Sequence, residues 1–290
     1  MHNIARKFFL PVVLLLSLAL AACGGGGGGG GGGSFAGLGA ALPASAPEPA
    51  PQATSQVIPS SVRGTQNGNV YAVQVFLPAS YAGGTSMLPV IYATEGDALY
   101  GAGGTQTRFD AFKNEMLARG TQAILVGIGG TARRNTDFLL PGASQYLNFI
   151  TADLAPSIER QYRADPKRRA LSGLSHGGYF VVAALVLEGS AGSLSFSHYL
   201  STESSVGGEG NLAAFLEFEK QLKASGKAVP ATLFLAGAAN GNGAVIVEPL
   251  YAQMLAQAIP QLTLVRASYG TTHVGADLPA FQEALTRFVP

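Results

Sequence analysis

The stretch Ala170-Leu171-Ser172-Gly173-Leu174-Ser175-His176-Gly177-Gly178-Tyr179-Phe180 constrains this chain more than any other. It reads as an apolar strand that turns at Gly173-Leu174-Ser175-His176-Gly177 and enters an apolar helix without a spacer. A serine on so sharp a strand-to-helix turn is held in strained backbone geometry, with its hydroxyl exposed above a sheet. Glycine two positions to either side keeps neighbouring side chains out of the turn. Gly-x-Ser-x-Gly alone is a weak signal in a chain with 39 glycines, so the setting has to carry it. The setting agrees: 168–174 is strand-like and 181–187 continues as an apolar helix. Ser175 is the candidate nucleophile.

The front of the chain reads as an address. Arg6 and Lys7 precede an apolar run over 8–22 that ends Leu20-Ala21-Ala22-Cys23. A basic start, a short apolar core and small residues before a cut mark a secretory signal over 1–22. The run is too short and too abruptly followed by glycine for a transmembrane span. Leu20-Ala21-Ala22-Cys23 resembles the lipobox of bacterial lipoproteins, which implies a lipidated Cys23, a bilayer as partner and a place in the cell envelope. Gly24 after the cysteine favours the outer membrane or its periplasmic face. Cys23 is the only cysteine, so no intrachain disulfide is expected. Residues 24–33 are unbroken glycine, and Ala, Pro, Gly and Ser dominate to about residue 55. No apolar periodicity survives there, so 23–55 reads as a flexible tether with a reach on the order of 30 Å.

Residues 56–290, roughly 235 positions, suit one large α/β domain. A formal net charge of +1 with 12% charged residues gives no electrostatic footprint for nucleic acid. Strand-like runs at 70–77, 88–94, 123–128, 168–174, 199–200, 232–236 and 262–267 are predicted. Helical stretches separate most of them, at 109–117, 146–162, 212–222, 247–259 and 278–288. Strands spaced by helices imply a mostly parallel central sheet with helices on both faces. Reactive residues in such sheets sit beyond the carboxyl ends of the strands.

That rule directs the search for the rest of a site. Serine needs a base, and His176, His198 and His273 are the histidines beyond the signal. His176 lies on the turn itself, where its backbone N–H is the useful part, as an oxyanion donor. His198 falls at the amino end of a strand, away from the site. His273 follows the last strand, at the correct end and in the correct chain order, and is the candidate base. The third member is open, because no aspartate lies between Ser175 and His273. Glu248 ranks first, Asn240 second and Glu203 third, with a Ser–His dyad as a further option. A second oxyanion donor is expected from the loop after 88–94, at Gly96 or Asp97. Arg133 and Arg134, after the strand ending at Ile128, are candidate grips for a carboxylate or catecholate group. The chain shows no cysteine cluster or close histidine pair, so neither metal nor cofactor is expected.

Together these residues resemble the putative-esterase family of α/β-hydrolases. That family includes esterase D-like enzymes, periplasmic trilactone siderophore esterases and their lipoprotein relatives. The resemblance runs from Val70-Tyr71-Ala72-Val73-Gln74-Val75-Phe76-Leu77-Pro78 with Tyr81, through Leu88-Pro89-Val90-Ile91-Tyr92, to the Gly96-Asp97 turn. It continues with Arg133-Arg134, Asp137-Phe138 and Pro141, then Leu154-Ala155-Pro156-Ser157-Ile158, Tyr162-Arg163 and Asp165-Pro166 before the Ser175 turn. Glu95 stands where the family usually has aspartate, and Asn240 where relatives often place an acid. The resemblance implies an α/β-hydrolase fold and cleavage of small carboxylic esters through a Ser175 acyl-enzyme, with His273 as base. Acyl transfer to a sugar hydroxyl on the same fold, and a non-catalytic tethered binding module, are the alternatives.

Overall fold

A computed structural model of the chain describes residues 54–100, 104–205 and 209–289. The expected signal, Cys23 and the expected tether up to residue 53 lie outside the described residues. Eight strands form one sheet: β1 (Gln56–Arg63), β2 (Val70–Leu77), β3 (Leu88–Ala93), β4 (Ile124–Ile128), β5 (Ala164–Leu174), β6 (His198–Thr202), β7 (Thr232–Asn240) and β8 (Thr263–Thr272). Their order is β1-β2-β4-β3-β5-β6-β7-β8. The first two pairings, β1 with β2 and β2 with β4, are antiparallel; every later pairing is parallel.

The helices are α1 (Arg108–Arg119), α2 (Arg134–Asp137), α3 (Gly142–Asn148), α4 (Ala155–Gln161), α5 (His176–Ala191), α6 (Glu209–Ser225), α7 (Glu248–Gln257) and α8 (Asp277–Phe288). Alternate residues of the central strands feed two separate cores, as a period of two requires. Val90, Tyr92, Ile124 and Val126 join α3, α4 and α5 on one face. Ile91, Ala93 and Leu125 join Phe109 and Phe112 of α1 and Phe281 of α8 on the other. There the rings of Phe112 and Phe281 stack with centroids 3.7 Å apart. Burial on both faces explains why β4 is apolar throughout, and why α5, lying against the middle of the sheet, is buried along nearly its whole length. The expected mostly parallel sheet with helices on both faces is therefore found.

Two elements depart from the pattern read in sequence. β1 has no counterpart among the predicted strands: it is an edge strand with mostly exposed residues and a proline at Pro59, so alternation does not mark it. The helix expected over 146–162 is α3 and α4 joined by a wider π turn over Phe149–Leu154. Pro156 stands just after that π turn, where its missing N–H leaves out one bond of a regular helical ladder.

Candidate active site

β5 ends at Leu174 and α5 starts at His176, which leaves Ser175 alone on the turn at φ 60° and ψ −117°. A non-glycine residue reaches such a backbone only when its surroundings impose it. Here Ser175 N–H donates to Thr202 O at 3.0 Å, while Ser175 O accepts from Tyr179 N at 2.9 Å and Ser205 N at 3.1 Å. The end of β6 and the first turn of α5 thus clamp it from both sides. The flanking glycines are demanded by space. A Cβ on Gly173 would overlap Gly177 O, and one on Gly177 would lie 2.6 Å from Thr94 Oγ1 and 3.0 Å from Glu95 Oε2.

His273 follows β8 directly. Its Nδ1 lies 2.8 Å from Glu203 Oε2. The Glu203 side chain has no solvent exposure, whereas that of His273 is 34% exposed. Glu203 follows β6 and takes a left-handed φ of 51°. Its carboxylate also accepts the backbone N–H groups of Ala238 and Asn242. A carboxylate fed by those donors only accepts, so the imidazole proton belongs on Nδ1 and Nε2 is left with its lone pair.

Ser175 and His273 line one cavity of about 260 Å³, together with Glu95, Leu99, Tyr100 and Arg134 among others. The Ser175 hydroxyl meets Ser205 Oγ at 3.3 Å. No hydrogen bond joins that hydroxyl to the His273 ring in this arrangement.

The structure corrects several expectations. Glu248 does not approach His273; its Oε2 accepts from Arg266 Nη1 at 2.6 Å on the surface, because the first turn of α7 faces the neighbouring β8. Asn240 ends β7, exposed and paired in register with Thr272. Glu203, ranked last in the sequence, holds the histidine instead. The Gly96 N–H is taken by Ile128 O at 2.8 Å, so it has no bond to offer an oxyanion. Asp97, the other expected donor, is exposed; its carboxylate ties down the loop after β4 by accepting from Gly130 N at 3.1 Å and Thr131 Oγ1 at 2.6 Å, contacts that do not engage the backbone N–H expected to donate. Glu95, also at a left-handed φ of 53°, lines the cavity together with Ala98, the residue that closes the turn. His176 stands at the first position of α5 as expected. His198 opens β6, with Ser197 Oγ 3.0 Å from its Nδ1 and the Phe288 ring against it.

The arginine pair divides. Arg133 binds Asp137 through Nε and Nη2, both at 3.0 Å, so it is committed within its own turn and does not reach the cavity. Arg134 does line the cavity, with Nε 2.9 Å from Glu95 Oε1. The Nε–H is not aligned on that oxygen or on any other acceptor, so the contact is an ion pair without a hydrogen bond. Burial pushes the Glu95 carboxyl up to about 7, against the opposing pull of Arg134 and Arg108.

Part of the cavity wall, at Tyr100 and Arg108, belongs to a polar cluster that sequence reasoning missed. Arg108 and Asp277, the first residues of α1 and α8, form a fully buried bidentate pair at 2.7 and 3.1 Å. Arg108 also donates to Thr94 O at 2.7 Å and Ser172 Oγ at 2.9 Å, tying the ends of β3 and β5 to that pair. Tyr100 donates to Asp277; burial first, and then Asp277, hold its hydroxyl well above the usual range, so it stays a donor. Nothing local in the sequence flags a pair 169 positions apart. No group of three or more His, Cys, Asp and Glu residues among the described residues is arranged to hold a metal ion.

The family model described as "Putative esterase" matches residues 65–230. Ferri-bacillibactin esterase BesA of Bacillus subtilis (strain 168) is 29% identical over 143 residues, 41% of this chain and 48% of its own length. The chain thus aligns with about half of that curated relative. An IroE-like serine hydrolase from Shewanella oneidensis superposes with a TM-score of 0.66 at 21% identity, over 79% of this chain and 78% of the other. The BES protein from Bacillus cereus gives 0.63 at 23% identity, over 80% and 94%. The siderophore hydrolase EstA from Aspergillus nidulans gives 0.64 at 18%, over 79% and 93%. At these identities the likeness establishes the α/β-hydrolase fold.

Proposed function

This chain belongs to the putative-esterase family of α/β-hydrolases, and from that premise we propose that it hydrolyses small carboxylic esters through an acyl-enzyme on Ser175. The observation that carries the reading is the strained Ser175 and the Glu203-paired His273 on the wall of one cavity. In the proposed reaction the Ser175 hydroxyl turns from Ser205 to His273 and attacks the ester carbonyl as Nε2 takes its proton. Glu203, buried against the ring, orients it and stabilises the imidazolium. The carbonyl oxygen becomes an oxyanion held by the backbone N–H groups of His176 and Glu95, where charge develops. His273 returns the proton to the departing alkoxide, and the alcohol leaves. Water, deprotonated by the same nitrogen, then attacks the acyl carbonyl and releases the acid with Ser175 regenerated.

Arg134 is proposed to face a polar or anionic part of the substrate, since its guanidinium borders the cavity beside a carboxyl held near neutrality. Esters that carry hydroxylated aromatic groups, including siderophore trilactones, are proposed as substrates for that lining, and the relatives named for siderophore and bacillibactin hydrolysis point the same way. Lipidation of Cys23, with residence at the bacterial envelope, is proposed from the sequence pattern alone.

A panel of p-nitrophenyl, feruloyl and trilactone esters tests the reaction, with a fluorophosphonate probe reporting on the nucleophile. Ester turnover together with an adduct on Ser175 is the expected result. Absence of both would leave the cavity a binding site without chemistry.

A further inference from the structure

We infer that the Gly241–Asn242 turn after β7 aims the Glu203 carboxylate at His273, with Asn242 as a positioning residue. The inference rests on the Ser175–His273–Glu203 reading above. Glu203 holds a φ of 51°, a conformation that a glutamate does not adopt without support. Asn242 supplies the support from across the β6–β7 gap. Its Nδ2 donates to Glu203 O at 3.2 Å and to Ser204 O at 3.1 Å, the carbonyls of the chain as it leaves β6. Its backbone N–H donates at 2.6 Å to Glu203 Oε2, the same oxygen that faces His273 Nδ1. One residue therefore grips both the main chain and the carboxylate of Glu203.

Gly241 supplies the clearance. A Cβ there would overlap Glu203 Oε2 and lie 3.0 Å from His273 Cα. Gly241 does not adopt a left-handed φ, so its own backbone would accept alanine. What excludes a side chain at this position is the carboxylate beside it. The Asn242 carbonyl separately starts the following turn by accepting from Ile246 N at 2.9 Å and Val247 N at 3.0 Å. Those bonds, and the backbone N–H to Glu203 Oε2, survive truncation of the side chain, so Asn242→Ala removes only the grip on the Glu203 and Ser204 carbonyls, while Gly241→Ala crowds the carboxylate itself.

The test measures kcat, KM and melting temperature for Asn242→Ala and Gly241→Ala, each with Glu203 present and with Glu203→Gln, on the full chain with a p-nitrophenyl ester. With Glu203 present, each variant is expected to lose about 10- to 100-fold in kcat, the usual range for groups that orient a primary site residue, with little change in KM. In the Glu203→Gln background the same substitutions should change kcat less than about 2-fold, because a residue acting through a carboxylate has nothing left to act on. Equal losses in both backgrounds, or unchanged kcat with Glu203 present, would overturn the inference. If Asn242→Ala melts out, Gly241→Ala carries the same comparison; collapse of both would mean the turn serves folding, and the inference falls. Wild-type protein without ester turnover or fluorophosphonate labelling would instead sink the underlying hydrolase reading.

Discussion

His273 Nδ1 and Glu203 Oε2 lie 2.8 Å apart although 70 positions separate them in the chain. Glu248, nearer to His273 in sequence, points to Arg266 instead. The difference is one of shelter: Glu203 is sealed beneath the loop after β7 and fed by backbone donors, whereas Glu248 shares solvent with its arginine. Glu203→Gln is therefore expected to lower kcat by about 10⁴, the scale seen when an orienting carboxylate becomes an amide. Glu248→Gln should leave kcat within about 2-fold, as for an exposed ion pair. Steady-state kinetics of the two variants side by side decides which carboxylate serves the histidine.

Ser175→Ala should reduce turnover by about 10⁶ and abolish fluorophosphonate labelling while leaving the melting temperature near wild type. The substitution removes an oxygen whose side-chain hydrogen bond is a single 3.3 Å contact to Ser205, so the fold loses little. Residual ester cleavage near the wild-type rate would place the nucleophile elsewhere.

Asp277→Ala is expected to act on stability first. It strands a fully buried guanidinium that now has two carboxylate contacts, a loss of about 3–5 kcal/mol for a broken buried pair. In a domain of this size that corresponds to a fall in melting temperature on the order of 10 °C. Calorimetry reads it directly. A melting temperature unchanged by the substitution would mean that Arg108 finds another partner.

Glu95 links stability to pH. Its carboxyl is raised from the usual 4.5 to about 7, chiefly by burial, so the folded chain binds this proton more tightly than the unfolded chain. The stabilising contribution is complete below about pH 4.5 and is lost as the pH climbs through about 7. Glu95→Gln stays neutral throughout. Urea unfolding at pH 5, 6, 7 and 8 should show the variant gaining on wild type as pH rises, by a few kcal/mol at most, since each tenfold difference in proton affinity is worth about 1.4 kcal/mol. A difference that stays constant from pH 5 to 8 would contradict the raised carboxyl.

Much of the fold was legible in the sequence because its signals are local. A period of two marks Val70–Leu77 as half-buried strand, a helical stripe places Phe109 and Phe112 on one face, and Gly173 and Gly177 announce a turn too tight for side chains. His273 was legible for a related reason: it directly follows the last strand, at the end of the sheet where this fold gathers its chemistry. β1 escaped because only Ile58 and Val62 of its eight residues turn partly inward, too few to imprint an alternation.

The sequence by itself determined which residue types were on offer: one serine on a strained turn, one histidine after the last strand, and a short set of carboxylates and arginines. Only the tertiary structure decided which of them meet. Glu203 rather than Glu248 reaches the imidazole, Arg134 rather than Arg133 borders the cavity, and Arg108 finds Asp277 across the sheet end. A charged side chain carries no address of its own. Its partner is set by strand order and loop closure over tens of residues, and by which of several exposed or buried positions leaves the charge least desolvated without a bond.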